Sequence, residues 1–309
     1  MKQTNITRIV IATRNSPLAL WQAKYAASLI EKNFPHITTQ LLPMTTKGDQ
    51  ILDVTLNKIG GKGLFLKELE QAMLVGKADI AVHSMKDVPA DLPNEFNICS
   101  IFKRHDTSDA FVSNEYNDLQ QLPKNAVVGT SSLRRQSQLL SLRPDIRVKP
   151  LRGNVQTRLK KLDNGDYDAI ILATAGLERM QMDDRIKSKL IANNWLPAVG
   201  QGAVGVECLS DRRDLIDLLA QLNDEDSVKC VAAERVMNKV LNGSCSAAIG
   251  AYAHIVNDSI QLQAIVSAPD GSECVRYKAQ DSDPNELGQA VAYGLLAGGA
   301  QRILDMADD

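Results

Sequence analysis

The chain has 309 residues and a formal net charge of −2, with 44% hydrophobic but only 4% aromatic residues. The length predicts two or three domains, and the slight negative charge argues against a general polyanion-binding surface. Five cysteines without a C-x-x-C pair argue against a disulfide framework and against a zinc site. The first residues contain no apolar stretch typical of a secretion signal, and no apolar run reaches membrane-spanning length. We therefore expect a cytoplasmic protein that binds neither metal nor membrane.

The beginning of the chain predicts an α/β unit. Residues 8–12 predict a buried strand, and Ser16 and Pro17 predict the start of a helix, with the serine as N-cap. A second strand is predicted over residues 37–44, and a further helix over residues 64–75.

A loop with paired charges follows the next predicted strand. Residues 79–82 are apolar, and Pro89 ends any regular structure soon after them. Lys86 and Asp87 are therefore expected just beyond the carboxyl end of a strand, where open α/β sheets bind ligands. Such a pair can hold an anion and stabilise a nearby cation, but it can equally be a solvated surface ion pair. His83, at the strand end, is interpreted as a structural side chain.

A second α/β alternation is predicted from residue 103, with strands over residues 126–128, 146–151 and 168–173. Between residues 131 and 160 the chain carries eight basic residues and one acid. Arg134 and Arg135 are expected in the first turn of a helix, where each cation opposes the helix dipole by about 0.3–1 kcal/mol. A bound anion would reverse that sign, so we predict an anion site, with a solvated basic face as the alternative.

Nucleic acid is a less suitable partner for this basic region. The region contains no aromatic residues interleaved for base stacking, and the chain as a whole is slightly negative. Arginine suits planar carboxylates that are held through two hydrogen bonds. We therefore expect a small carboxylate-bearing ligand and no nucleic acid.

The chain returns to the first unit through an apolar strand at residues 203–208. Two crossings between the units predict two α/β lobes joined by a double hinge. Residues beyond 223 predict a smaller α+β unit with three strands and a closing helix from about residue 286 to 306. The predicted domains are 1–102 with 203–222, 103–202, and 223–309.

Cys245 differs from the other cysteines because it lies on a loop rich in glycine and serine. Cys99, Cys208, Cys230 and Cys274 lie in strand or helix patterns, which is typical of buried thiols. From its position alone, Cys245 is either an accessible reactive thiol or an inert loop cysteine.

Several motifs together are specific to one family. They are residues 11–21, 60–65, 83–89, 129–135, 151–154 and 196–203, with the loop that contains Cys245. Over nearly its whole length, the chain resembles the porphobilinogen deaminases, also called hydroxymethylbilane synthases. Ser244 and Ala248 stand where that family commonly has glycine and proline, a difference in the loop that leaves the cysteine itself in place.

The resemblance implies an α/β fold of two periplasmic-binding-protein-like lobes with a smaller α+β C-terminal domain. It implies a monomeric transferase that deaminates four porphobilinogen molecules and joins them into linear hydroxymethylbilane. The implied cofactor is a dipyrromethane linked by a thioether to Cys245, and the implied catalytic group is Asp87. The residues implied to hold the cofactor are Lys86, Ser132, Arg134, Arg135 and Arg158. The residues implied to bind substrate are Arg14, Ser16, Arg152, Arg179, Lys62 and Phe65.

The alternative function is a two-lobed solute-binding protein without catalysis. It would share the lobes, the hinge and the anion site. Such proteins usually require export, however, and this function leaves the third domain and Cys245 without a role.

Overall fold

The computed structural model describes residues 6–46, 66–191, 194–242 and 248–306. The strands of the described chain are β1 (Arg8–Arg14), β2 (Thr38–Met44), β3 (Ile80–Ser84), β4 (Phe96–Ile101), β5 (Asp109–Val112), β6 (Val127–Gly129), β7 (Arg147–Lys149), β8 (Ala169–Ala173), β9 (Ser188–Leu190), β10 (Val204–Leu209), β11 (Ala248–Val256), β12 (Ser259–Ser267) and β13 (Cys274–Asp281). Its helices are α1 (Pro17–Asn33), α2 (Lys67–Leu74), α3 (Leu133–Leu142), α4 (Val155–Asp163), α5 (Thr174–Arg179), α6 (Arg213–Leu219), α7 (Glu225–Val240), α8 (Pro284–Ala297) and α9 (Ala300–Asp305).

The chain forms two compact units. The described part of the first comprises residues 6–46, 66–105 and 203–228, and that of the second comprises residues 106–191, 194–202, 229–242 and 248–306. The fold is mixed α/β, as predicted, with a five-stranded sheet in each of two lobes and a separate three-stranded C-terminal sheet. Because the second unit contains both the middle lobe and the C-terminal sheet, the division into three domains remains a prediction.

The sheet of the first unit has the strand order β2-β1-β3-β10-β4. β1 is parallel to β2 and β3, whereas β10 returns antiparallel between β3 and β4. Side chains alternate across the sheet. Ile11 and Ile80 pack in one apolar core with α1 residues, and Ala12 and Ala81 pack in a second core with α2 residues. Burial of both faces explains why these strands are continuous apolar runs.

The middle lobe, in the second unit, has the strand order β7-β6-β8-β5-β9. β7, β6 and β8 are parallel, whereas β5 runs antiparallel to β8 and β9. The short strands β5 and β9 were not predicted from the sequence. They extend the sheet beyond β8, with β5 antiparallel to both of its neighbours. β5 begins at Asp109, a polar residue that does not indicate a strand.

The C-terminal sheet has three antiparallel strands, β11, β12 and β13, which confirms the three predicted strands. The prediction of a single closing helix over residues 286–306 is wrong. The chain breaks it into α8 and α9 at Gly298 and Gly299, and Gly299 adopts a left-handed φ of 94°. Glycine populates that region without steric cost, so the pair ends one helix and starts the next.

The close approach of α8 to α7 generates a stability prediction. A Cβ added at Gly288 would lie 2.7 Å from the Ala233 carbonyl oxygen and 2.7 Å from Val236 Cβ. We expect Gly288→Ala to lower the thermal midpoint, because overpacking of about 1–3 kcal/mol exceeds the gain of about 1 kcal/mol in helix propensity. Gly294→Ala on the same helix is the control, since the three atoms nearest its Cβ would all belong to the Tyr277 ring, which is exposed and can move. Equal midpoints for the two variants would contradict the prediction.

Candidate functional site

In the first unit, the predicted site residues lie at one edge of the sheet. Arg14 ends β1, and Ser16 caps α1 by accepting a hydrogen bond from the Ala19 N–H. Lys86 and Asp87 lie in a 3-10 turn directly after β3. Because β1 and β3 are parallel, their carboxyl ends meet at the same edge. Lys86 is half-buried and Asp87 is exposed, so this carboxylate is accessible to a ligand.

The turn after β3 is held by hydrogen bonds and by a buried methionine side chain. The Met85 N–H donates to the Ala203 carbonyl at 3.0 Å, and the Met85 side chain is only 1% exposed. It fills the space beside Gly205, where an added Cβ would lie 2.2 Å from the sulfur. The Gln22 side-chain amide donates to Ser84 Oγ at 2.7 Å. These contacts hold the turn, and with it Asp87, in one place.

A buried histidine–glutamate pair with a half-buried acidic neighbour joins β3, the strand before this turn, to β10. His83 Nε2 and Glu207 Oε2 are 2.9 Å apart, and both residues are buried, which agrees with a structural role for the histidine. Burial raises the pKa of Glu70, and the nearby Glu207 raises that pKa further. The His83–Glu207 contact therefore joins β3, which leads into the turn, to β10.

In the second unit, too, the helices that follow the parallel strands begin at one edge of the sheet. Strands β6, β7 and β8 are followed by α3, α4 and α5 respectively. Ser132 caps α3 and Asn154 caps α4, each accepting a backbone N–H. Ser131 Oγ bridges the loops after β6 and β7, because it donates to the Leu151 carbonyl and accepts from the Leu151 N–H, both at 3.0 Å.

The basic residues of the α4 loop lie at this same edge. Arg152 and Arg158 are half-buried, and Arg158 Nε donates to the Gly153 carbonyl at 2.8 Å. Helix N-termini carry partial positive charge and unpaired N–H groups. Together with serine hydroxyls and arginines, they form a donor set suited to carboxylates.

Arg134 and Arg135 are ion-paired within the protein. Arg134 Nη1 donates to Asp109 Oδ2 at 2.8 Å and to the Leu196 carbonyl at 2.7 Å. Arg135 donates to Asp109 Oδ1 from Nε at 3.1 Å and from Nη2 at 2.7 Å, and its Nη1 donates to the Ile171 carbonyl. A carboxylate of the chain itself thus lies beside these first-turn cations, where the sequence predicts a bound anion. Their contact with a ligand remains a prediction.

Asp109 is the centre of a larger network. Besides the arginines, Trp195 Nε1 donates to it at 2.7 Å and Gln201 Nε2 at 2.9 Å, and the carboxylate is fully buried. Burial alone would raise the pKa of Asp109, but the two guanidinium charges outweigh burial and hold that pKa well below its usual range. The two guanidiniums therefore favour the ionised form of this carboxylate.

Arg179 is also bound by the backbone. It lies at the end of α5, it is buried, and its Nη2 donates to the Gly202 carbonyl at 2.7 Å.

Lys62, Phe65 and Cys245 lie outside the described residues. Cys99, Cys208 and Cys230 are buried as expected, but the expectation is wrong for Cys274, which is exposed on the edge strand β13.

Within the described ranges, no three His, Cys, Asp or Glu side chains are placed to hold a metal ion. None of the described helices is long and apolar enough to cross a membrane.

The fold defines a protein of the mixed α/β class, with serines and arginines at the ends of its strands. A family model described as "Porphobilinogen deaminase, dipyromethane cofactor binding domain" matches residues 9–217, and "Porphobilinogen deaminase, C-terminal domain" matches residues 228–297. The porphobilinogen deaminase of Chromobacterium violaceum is 52% identical over 96% of this chain and 97% of its own length. The chain belongs to the porphobilinogen deaminase family, whose members are transferases.

Solved structures similar to this chain include periplasmic binding domains. The VFT2 domain of Bordetella pertussis BvgS has a TM-score of 0.43 and 15% identity, over 70% of this chain and 86% of its own. The methionine-binding protein MetQ has a TM-score of 0.44 and 12% identity, over 77% of this chain and 96% of its own.

The raised pKa of Glu70 generates a pH prediction. The pKa of Glu70 is raised from 4.5 in the folded protein, so its stabilising contribution is present below about pH 4.5 and is lost as the pH rises through the folded-state pKa. We expect Glu70→Gln to raise the thermal midpoint at pH 7 and to leave it nearly unchanged at pH 4.

Glu31→Gln is a control of opposite sign. Hydrogen bonds from the hydroxyl and the N–H of Thr39 lower the pKa of Glu31, so its contribution is present above the unfolded-state pKa and is lost as the pH falls. Glu31→Gln should lower the midpoint at pH 7. If Glu70→Gln instead lowers the midpoint at pH 7, the charged form of this half-buried carboxyl does not destabilise the folded protein.

Proposed function

We propose that this chain joins four porphobilinogen molecules head to tail, with loss of one ammonia at each addition, and that one water molecule then releases the product as linear hydroxymethylbilane. The observation that carries the proposal is the family match over both parts of the chain, together with intact motifs at the strand ends. The reaction would start from a dipyrromethane joined through a thioether to Cys245.

The described residues fit such a cofactor. A dipyrromethane bears acetate and propionate arms, and each arm needs donors at a fixed position. The proposed donors are Lys86, Ser132, Arg134 and Arg158, which combine a helix N-cap with ammonium or guanidinium groups. Arg135, the fifth residue predicted to hold the cofactor, donates to Asp109 and the Ile171 carbonyl and would support this set through Asp109 rather than by direct contact. When bound, the cofactor supplies the pyrrole carbon to which the first substrate is joined.

The substrate carboxylates are assigned to a second group of donors. These are Arg14, Ser16, Arg152 and Arg179, with Lys62 and Phe65 completing the proposed set. Arginine holds a carboxylate through two parallel hydrogen bonds, so it fixes orientation as well as position. Fixed orientation of two reacting carbons converts a bimolecular condensation into a far faster local reaction.

Asp87 is the proposed catalytic group. Loss of ammonia from porphobilinogen leaves positive charge on the substrate pyrrole. A carboxylate on a rigid turn, placed before the charge develops, stabilises that charge without reorganising. The exposure of Asp87 and the anchoring of its turn through Met85 support this role.

The proposal extends to the organisation of the protein. The third domain, residues 223–309, would carry the cofactor through Cys245. We also propose a cytoplasmic monomer that interacts with neither nucleic acid nor membrane. The thiols of the four described cysteines support this location, since none is in a disulfide and thiols stay reduced in the cytoplasm.

The first test concerns the attachment residue. Intact-protein and peptide mass spectrometry should find a dipyrromethane on Cys245 and nowhere else. Cys274→Ser is the matched control, because Cys274 is exposed and would be the competing thiol. Cys245→Ser should abolish the added mass and Cys274→Ser should retain it. An adduct on Cys274, or active protein without an adduct, would reject the proposed attachment.

The second test concerns the catalytic carboxylate. Asp87→Asn keeps the shape and removes the charge, so kcat should fall by about 10²–10³, as is typical for loss of a preorganised group. KM should change less, because the arginines bind the substrate carboxylates in the ground state and transition state alike. Asp87→Glu should have an intermediate effect.

The measurement on Asp87 variants needs protein that mass spectrometry shows to carry the cofactor, since cofactor assembly could require the same carboxylate. Asp91→Asn, which removes another exposed carboxylate close by in the chain, should retain the parental kcat. Loaded Asp87→Asn with near-parental turnover would show that another group stabilises the charge.

A further inference from the structure

One buried carboxylate organises the two arginines at the start of α3. Asp109 accepts hydrogen bonds from Arg134, Arg135, Trp195 and Gln201, and it is fully buried. It lies on β5, outside every motif that identifies the family in the sequence. Nothing in the proposed reaction assigns it a role.

The charges of this cluster do not balance. Asp109 contributes one negative charge, and Arg134 and Arg135 contribute two positive charges, while Trp195 and Gln201 are neutral donors. The N-terminus of α3 adds further positive potential at the same place. A buried cluster with one uncompensated positive charge favours one additional anion.

The two guanidinium groups differ in which of their nitrogen atoms donate hydrogen bonds to the protein. Arg135 donates to protein acceptors from Nε, Nη1 and Nη2. Arg134 uses Nη1 alone in its hydrogen bonds to the described residues. Its Nε and Nη2 atoms form the edge that binds a carboxylate through two parallel hydrogen bonds.

We propose that Asp109 is a positioning residue that acts through Arg134. By holding Arg134 Nη1, it orients the Nε–Nη2 edge toward one ligand carboxylate, while its pairing with Arg135 neutralises the second guanidinium. The cluster then carries one positive charge for one carboxylate arm. The identity of that arm as part of the dipyrromethane rests on the proposed function, but the orientation of Arg134 does not.

Mass spectrometry of purified variants tests the effect on cofactor loading. Asp109→Asn keeps the size of the side chain but removes the charge that orients Arg134. We expect its ratio of loaded to unloaded protein to fall roughly 10- to 100-fold, the range for losing a hydrogen bond to a charged group. Asp145→Asn breaks the part-exposed ion pair of Arg143 at the other end of α3 and should load like the parent.

Trp195→Phe separates positioning from mere stability. It removes one neutral donor from Asp109 and leaves all three charges in place. We expect a lower thermal midpoint with parental loading. The proposal is overturned if Asp109→Asn loads like the parent, or if Trp195→Phe reduces loading as much as Asp109→Asn does.

A second measurement keeps the proposal testable if Asp109→Asn does not fold. Cys245→Ser protein labelled with ¹⁵N-arginine would be titrated with succinate, a dicarboxylate without pyrrole chemistry. The Arg134 Nε–H signal should shift, and the Arg135 Nε–H signal, held by Asp109, should stay in place. A shift of Arg135 alone, or of neither signal, overturns the proposed orientation.

The two proposals can fail separately. If the parent protein carries no mass on Cys245, the proposed function fails, and the succinate titration still decides the orientation of Arg134. If the parent is loaded and Arg134 does not respond to succinate, the proposed function stands and the role of Asp109 is rejected.

Discussion

The second unit depends on the ion pairs and hydrogen bonds that its neighbours make with the buried carboxylate of Asp109. This carboxylate is buried without access to water, and it stays charged because two guanidiniums surround it. Removing one partner from such a buried set typically costs about 3–5 kcal/mol, since the remaining charges are left unpaired. Through Arg134 and Trp195 the carboxylate also binds the segment that returns toward the first unit. A single side chain thus connects β5, α3 and the segment from residue 195 to 202.

The rest of the proposed site follows from the arrangement of parallel strands. In each lobe, parallel strands bring their carboxyl ends to one edge, and the helices that follow start there with capping serines or asparagine. Backbone N–H groups and arginines therefore accumulate at these edges, which suits a substrate with two carboxylates. Asp87 differs from these residues because it supplies negative charge, and its turn is anchored by the buried Met85. The same architecture thus places cationic donors and one carboxylate at the strand ends, as the proposed reaction requires.

The solute-binding alternative shares this architecture and is not favoured. The family models cover the C-terminal domain as well as the two lobes, and the Chromobacterium violaceum relative matches nearly end to end. A binding module would need only the strand-end donors. The third domain and Cys245 acquire a role only in a protein that carries its cofactor covalently, which is why that attachment is the most informative test of the proposed function.

The sequence by itself determined the α/β class, most strands and helices, the strand-end position of Asp87 and the family. These features depend on local patterns: apolar runs, the Ser16-Pro17 helix start, and motifs that are contiguous in the chain. It also indicated that Arg134 and Arg135 need an anion, because the helix dipole is a local property. It did not identify Asp109 as that anion, and it missed β5, because a four-residue strand that begins with aspartate resembles a loop.

Only the tertiary structure decided these remaining points. Asp109 precedes Arg134 by 25 residues, and Glu207 follows His83 by 124, so neither pair could be read from neighbouring positions. The exposure of Cys274 depends on β13 being an edge strand, which is a property of the assembled sheet. Burial and long-range pairing arise only when separate segments pack together, and they determine which charged side chains stabilise the protein and which remain for a ligand.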